Sequence, residues 1–309
     1  MDFDFFVQQL VNGVTLGSVY ALIALGYTMV YGILKLLNFA HGEVYMMGAF
    51  AGFGILSVFG GALSLSINVV ALIAMMLGVA MLGSGLLGVV IERFAYRPLR
   101  DAPRIAPLIS ALGVSFFLAN SMQLLFGATP RNYNTFDLAN ASLYTKGFNV
   151  GNVHVALLRI ITVVAALVLM MLLWFLVNRT RTGKAMRATS FDREAAAMMG
   201  IDIDRVIVFT FVLGSALAGA AGVLQSLRVP TTVAIGFVAG LKGFTAAVIG
   251  GIGSIPGAMA GGLILGFAES YAQGYISTKW SDLIVFSILI LFMIFRPQGL
   301  LGRADIRKV

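Results

Sequence analysis

The stretch INVVALIAMMLGVAMLGSGLLGVVI, residues 67–91, runs for 25 residues without a charged side chain. A helix needs about 20 predominantly apolar residues to cross the hydrocarbon core of a bilayer. Similar stretches recur along the chain, so the sequence predicts an all-α fold, a polytopic bundle of membrane-spanning helices. The other predicted spans are Phe5–Leu34, Val44–Phe59, Ile105–Phe126, Val155–Val177, Val206–Leu227 and the shorter Leu283–Phe295.

The composition of the whole chain excludes most soluble functions. Of its 309 residues, 59% are hydrophobic and 11% are charged, whereas soluble domains carry about 45–50% apolar and about 25% charged residues. There is no cysteine, and the only histidines are His41 and His154, so the sequence predicts no thiol chemistry and no metal centre. No catalytic constellation or cofactor motif stands out. We therefore expect the lipid bilayer as a partner, and neither an enzyme nor a nucleic-acid-binding protein.

The basic residues predict the orientation of the spans. Most of them cluster in Arg93–Arg104, Arg179–Arg205 and Arg296–Lys308, and cytoplasmic loops carry an excess of Lys and Arg. If these clusters are cytoplasmic, alternation places the N-terminus, Met1-Asp2-Phe3-Asp4, on the periplasmic side and the C-terminus in the cytoplasm. The N-terminus has no basic region before its apolar stretch, which argues against a cleaved signal peptide.

One apolar segment must double back for this orientation to hold. The run Ala246-Ala247-Val248-Ile249-Gly250-Gly251-Ile252-Gly253-Ser254-Ile255-Pro256-Gly257 interrupts it with glycines and a proline. We expect a re-entrant hairpin here, giving seven spans plus the hairpin. The predicted count is thus about eight spans, or seven plus the hairpin, and two thin full spans joined by a tight turn remain the alternative. Irregular backbone at membrane depth needs protein or a water-filled cavity around it, so the break also points to a translocation path.

Other polar residues within apolar stretches are candidates for the same path. These side chains could equally hydrogen-bond to the backbone at helix ends or to one another. The long alkyl chain of Lys242 could carry its ammonium group to the membrane interface. The candidate path residues are Asn38, His41, Glu43, Lys242, Gly250, Gly251 and Gly253.

The longest well-charged cytoplasmic loop, within residues 178–205, predicts a short helix. Ser190 is a plausible N-cap, Asp192 and Glu194 suit the first turn, and Gly200 suits the position after the last turn. Its apolar face could fill a groove on a soluble partner or lie on the bilayer. The chain contains no phosphate-binding loop of the type Gly-x-x-x-x-Gly-Lys-Ser/Thr, so we expect that any nucleotide hydrolysis takes place on another subunit.

Several motifs resemble those of one family. They are Asn12-Gly13-Val14-Thr15-Leu16-Gly17-Ser18, Gly26–Gly32, Asn38–Glu43, Phe244–Ala247 and Gly250–Gly266, with Glu194-Ala195-Ala196 followed by Gly200 in the loop. On these motifs the chain resembles LivH-type permease subunits of high-affinity branched-chain amino-acid ABC importers, nearly end to end.

The resemblance implies one permease domain over residues 1–309, with a coupling helix in the 178–205 loop. It also implies a second, LivM-like permease, two ATPase subunits that bind ATP and Mg²⁺, a periplasmic substrate-binding protein, and a Gram-negative inner membrane. Other permeases related to this family are similar to those of urea or amide importers, so the resemblance does not fix the substrate. A self-contained secondary amino-acid transporter or channel, or a non-transporting scaffold, remains an alternative. The implied coupling residues are Glu194, Ala195, Ala196, Met198 and Gly200.

Overall fold

The computed structural model describes residues 3–62, 69–100, 102–103, 105–133, 147–151 and 153–302. The interpretations that rest on Met1, Asp2, Arg104 and the basic residues after position 302 lie outside this range.

The described residues form eleven α-helices and one two-stranded ribbon. Short π-helical or 3₁₀ turns follow α2 and α3 and precede α11. The elements are α1 (Phe3–Leu34), α2 (His41–Leu56), α3 (Val69–Ile91), α4 (Ile105–Phe126), β1 (Gly147–Val150), β2 (Val153–Ala156), α5 (Leu157–Arg179), α6 (Arg181–Phe191), α7 (Arg193–Met198), α8 (Ile203–Ser226), α9 (Ile235–Gly250), α10 (Ile255–Tyr275) and α11 (Ser281–Phe295).

The predicted bundle of membrane-spanning helices is confirmed. Seven helices in the described residues are long and apolar enough to cross a membrane, and each overlaps one predicted span. The remaining pair, α9 and α10, is bent by 120° at the predicted glycine and proline break. The chain is an integral membrane protein, and its fold matches the predicted seven spans plus a broken pair.

Helix α1 forms the centre of the bundle, because almost all of its apolar window is buried by other helices. Helix α10 packs along it with small residues at the contact. A Cβ on Gly17 would lie 2.8 Å from the Cα of Leu263, and a Cβ on Gly13 would lie 3.0 Å from the Cα of Phe267. Small residues let helices approach closely in membranes, where burial of apolar area gives no driving force between them.

The glycine-rich break between α9 and α10 lies at one end of α1. Gly243 of α9 packs against Ile23, while Gly253 lies beside Gly32, near the C-terminal end of α1. Helix α10 then runs back, placing Ser270 against Gln9. The hairpin therefore extends along much of α1, with its turn at the C-terminal end of that helix.

The segment between α4 and α5 contains the one β-structure of the described residues. Strands β1 and β2 pair antiparallel, with Phe148 opposite Val155. A bridge between Arg131 and Thr231 joins this side of the chain to the segment before α9. The ribbon begins between the predicted spans Ile105–Phe126 and Val155–Val177 and is an addition to the all-α prediction.

Candidate coupling and translocation sites

Helix α7 is the short helix predicted in the cytoplasmic loop, with a different N-cap. The Oδ1 atom of Asp192 accepts a hydrogen bond of 3.0 Å from the backbone N–H of Ala195. The assignment of Ser190 as N-cap is wrong, because its hydroxyl donates instead to the carbonyl of Gly32 in α1, at 2.7 Å. Ser190 is also still within α6, which ends at Phe191.

The predicted role of Gly200 at the helix end is confirmed. Its φ angle of +82° is in the left-handed region that favours glycine. The N–H of Gly200 donates to Ala197 O at 2.9 Å, and the N–H of Ile201 donates to Ala196 O at 3.1 Å. These two bonds form a Schellman motif, which satisfies the last carbonyls of α7 and stops the helix sharply.

Helix α7 is joined directly to the central helix of the bundle. The Nε and Nη2 atoms of Arg193 donate to the carbonyl of Ile33 at 3.1 and 2.5 Å, beside the bond from Ser190 to Gly32. Because both acceptors are among the last carbonyls of α1, a displacement of α7 pulls on the end of that helix.

Large apolar side chains are exposed on α7 and directly beside both of its ends. Phe191 is 88% exposed, and Met198 and Met199 are each 82% exposed. Ala196 is buried against the bundle, whereas Glu194 is on the exposed side. Large exposed apolar side chains on a polar loop are typical of a surface that a partner protein covers, and methionine adapts well to such contacts.

The predicted path residues Asn38, His41 and Glu43 lie together in the protein interior. Helix α2 begins at His41, whose Nε2 lies 3.2 Å from Ile23 O. Ile23 precedes the end of α1 by 11 residues, which is about 16 Å of helix rise. The connection after α1 therefore folds back along it, and these polar groups lie deeper than a helix end at the surface.

Asn38 is hydrogen-bonded locally, and Glu43 is so in part. The Oδ1 atom of Asn38 accepts hydrogen bonds from Ala40 N at 3.1 Å and from Tyr96 Oη at 3.3 Å. The Oε1 atom of Glu43 accepts from Ser115 at 3.3 Å. The Oε2 atom of Glu43, however, is buried without a hydrogen-bond partner, so this carboxylate can still accept a donor.

Lys242 is buried and is held by two carboxylates. Its Nζ lies 2.7 Å from Glu269 Oε1 and 2.7 Å from Asp282 Oδ1, so it joins α9 to both α10 and α11. The other carboxylate oxygen of Glu269 accepts a 2.7 Å hydrogen bond from Tyr20 in α1. Sequence reasoning missed Glu269 as a partner. The signal that could have indicated this ion pair was the presence of one ionisable residue on each arm of the predicted hairpin.

The predicted path glycines lie at the hairpin turn, apart from the buried cluster. Gly251 and Gly253 have φ angles of +101° and +96°, which explains why glycine is needed there. Leu300 N and Leu301 N donate to the carbonyls of Ile249 and Gly250, each at 2.9 Å. The turn is thus closed by the segment after α11. The described residues contain no group of His, Asp and Glu that could hold a metal ion.

Comparisons with known proteins agree with this architecture. The model of a family described as "Branched-chain amino acid transport system / permease component" matches residues 9–293. The chain is 44% identical to the high-affinity branched-chain amino acid transport system permease protein LivH of Salmonella typhimurium and to LivH of Escherichia coli, covering 99% of each chain. It is 42% identical to BraD of Pseudomonas aeruginosa, covering 98% of each chain. No solved structure matches the chain.

The family model and the relatives extend over nearly the same residues that form the helical bundle, including the broken hairpin and the loop with α7. The chain therefore belongs to the family of permease components of branched-chain amino acid transport systems.

Proposed function

We propose that this chain is a permease subunit of an ATP-driven ABC importer for leucine, isoleucine and valine, forming half of the translocation path. The relatives that align end to end are named for branched-chain amino acid transport. A second, LivM-like permease forms the other half, and a periplasmic binding protein delivers the substrate. The assembly is in the bacterial inner membrane, with the N-terminus periplasmic and the C-terminus cytoplasmic.

Helix α7 is the coupling element in this proposal. Two ATPase subunits bind ATP and Mg²⁺, and one of them receives Phe191, Met198 and Met199 in a groove. The observation that carries this assignment is the pairing of an exposed apolar face with direct hydrogen bonds to the end of α1. Closure of the ATPases then moves α7, and α7 moves the central helix. In this way a nucleotide-driven motion reaches the permease interior.

The buried cluster of Asn38, His41 and Glu43 contributes to the path. An amino-acid zwitterion carries an ammonium group, and Glu43 keeps one buried carboxylate oxygen free of hydrogen bonds. A charged group within the membrane faces a cavity or a partner as a rule and marks ion or substrate pathways. Gly42 packs against Gly236 and Gly240 of α9 next to this carboxylate. The hairpin, with Lys242 and the glycines of its turn, holds α9 in that position.

Cross-linking tests the coupling assignment directly. Because the chain has no cysteine, Met198→Cys introduces a single thiol without further engineering. A bifunctional thiol-to-amine reagent applied to the assembled transporter should join this position to an ATPase subunit. Lys279→Cys is the matched control, since Lys279 is exposed beyond the other end of the hairpin. Equal cross-linking at both positions, or none at Met198, would refute the assignment.

A further inference from the structure

We propose that the cavity between the end of α1 and the α6–α7 segment binds a phosphate group, and that this group belongs to the headgroup of an anionic phospholipid. The cavity has a volume of about 360 Å³ and is lined by Lys35, Arg100 and Arg193, together with Ser190 and the apolar Leu34 and Pro107. None of its described lining residues is acidic. The cavity borders the coupling surface at Phe191 and lies apart from the path cluster.

The three cations differ in how far they are already neutralised. Arg100 forms ion pairs with Glu92 and Asp204, so its charge is balanced. Lys35 and Arg193 form no ion pair in the described part of the chain, although the Nζ atom of Lys35 lies 5.8 Å from the centre of the Tyr31 ring. The Nη1 atom of Arg193 donates no hydrogen bond to a described residue. Among the described residues, the cavity therefore keeps two positive charges without a carboxylate partner.

Two further observations favour an anion as the occupant of the cavity. The Nε atom of Arg100 is buried without a hydrogen-bond partner, and such groups in folded proteins call for an explanation. Burial lowers the pKa of Arg193, and the positive charge of Arg100 lowers it further. A phosphate between these groups would accept their hydrogen bonds and offset the repulsion, because guanidinium groups match phosphate oxygens well.

The backbone at Lys35 has the left-handed conformation of a helix end, one residue after α1. Lys35 has a φ angle of +55°, and among the described residues it is the one non-glycine with a positive φ. This conformation is unfavourable for an L-residue, and glycine or asparagine adopts it more easily. Lysine is therefore less favourable at this position than glycine or asparagine, yet it is the residue that lines the cavity here.

The surroundings favour a lipid as the source of the phosphate. The cavity opens at the end of the bundle that carries the basic loops, and its walls combine cations with apolar side chains. Basic pockets between membrane helices on the cytoplasmic side bind anionic headgroups. Because Ser190 and Arg193 line the cavity and also bond to α1, an occupant would contact both the coupling segment and the central helix.

Native mass spectrometry of the delipidated transporter tests the site without any transport assay. Phosphatidylglycerol is titrated against wild type, Lys35→Gln and the control Lys184→Gln, which removes an exposed lysine of the same loop region outside the cavity. We expect Lys35→Gln to weaken retention of the lipid roughly 5-fold, since one basic residue near the membrane surface contributes about 1 kcal/mol. Lys184→Gln should retain the lipid as wild type does.

A second variant separates loss of the site from loss of folding. Lys35→Asn suits the left-handed backbone, so it should raise the thermal midpoint while weakening lipid retention as Lys35→Gln does. Inorganic phosphate is the second probe. If phosphate binding depends on Lys35 while lipid retention does not, the phosphate comes from a soluble source and the lipid assignment is overturned. If neither probe responds to Lys35, there is no anion site.

Discussion

The ion-paired Lys242 allows a quantitative test of how the hairpin is held. Replacing it by methionine preserves most of the side-chain volume but leaves Glu269, which is buried, without its cation. Breaking a buried ion pair from one side destabilises proteins by about 3–5 kcal/mol. Glu269 keeps hydrogen bonds from Tyr20 and Gln273, and Asp282 is more than half exposed and can be hydrated. We therefore expect the lower end, about 3 kcal/mol.

The double variant Lys242→Met/Glu269→Gln separates charge from packing. A glutamine at position 269 is neutral and still accepts the hydrogen bond from Tyr20, so most of the lost stability should return. At roughly 2–4 °C per kcal/mol, the single variant should lower the thermal midpoint of the detergent-extracted protein by roughly 6–12 °C, and the double variant by much less. A single variant as stable as wild type, or a double variant no better than the single one, would refute this reasoning.

Three further predictions concern local features of the fold. Gly200→Pro should abolish leucine uptake at normal protein level, because proline cannot adopt a positive φ and has no N–H for Ala197 O; Gly200→Asn should retain uptake, and equal activity of the two would contradict the role of the Schellman motif. Asp192→Ala should destabilise α7 by about 1 kcal/mol through loss of the N-cap, seen as faster amide exchange confined to this loop; unchanged exchange would show that the cap contributes nothing. Gly17→Leu should lower the amount of folded protein in the membrane because α10 leaves no space there, whereas Gly54→Leu, with open space around it, should not, and fluorescence-detected size exclusion distinguishes the two.

Hydropathy was sufficient to locate the spans, because a stretch such as residues 67–91 can be stable only in hydrocarbon or in a large core. Hydropathy could not show at what depth in the bundle each helix begins. The connection after α1 contains polar residues that look like a surface turn, yet His41 lies against Ile23 in the bundle interior. That depth depends on packing between α1, α2 and α9, which one sequence does not encode in any local pattern.

The candidate sites were predictable where the signal is local. Gly200 could be placed because a helix end in an alanine-rich run needs a left-handed residue. Ser190 was predicted as the N-cap, which is wrong, because both Ser and Asp cap helices and the tertiary bond from Ser190 to Gly32 leaves that role to Asp192. The ion pair of Lys242 with Glu269 joins residues 27 positions apart, so composition indicated a charge at depth but not its partner.

Co-purification tests the central claim most directly. The tagged chain is expressed with the products of neighbouring genes and extracted in mild detergent, and the bound proteins are identified by mass spectrometry. The account predicts that a second permease and ATPase subunits remain bound, and that Met198→Glu releases the ATPases while the second permease stays. A chain that purifies alone as a homomer and still transports leucine down an ion gradient would contradict the account.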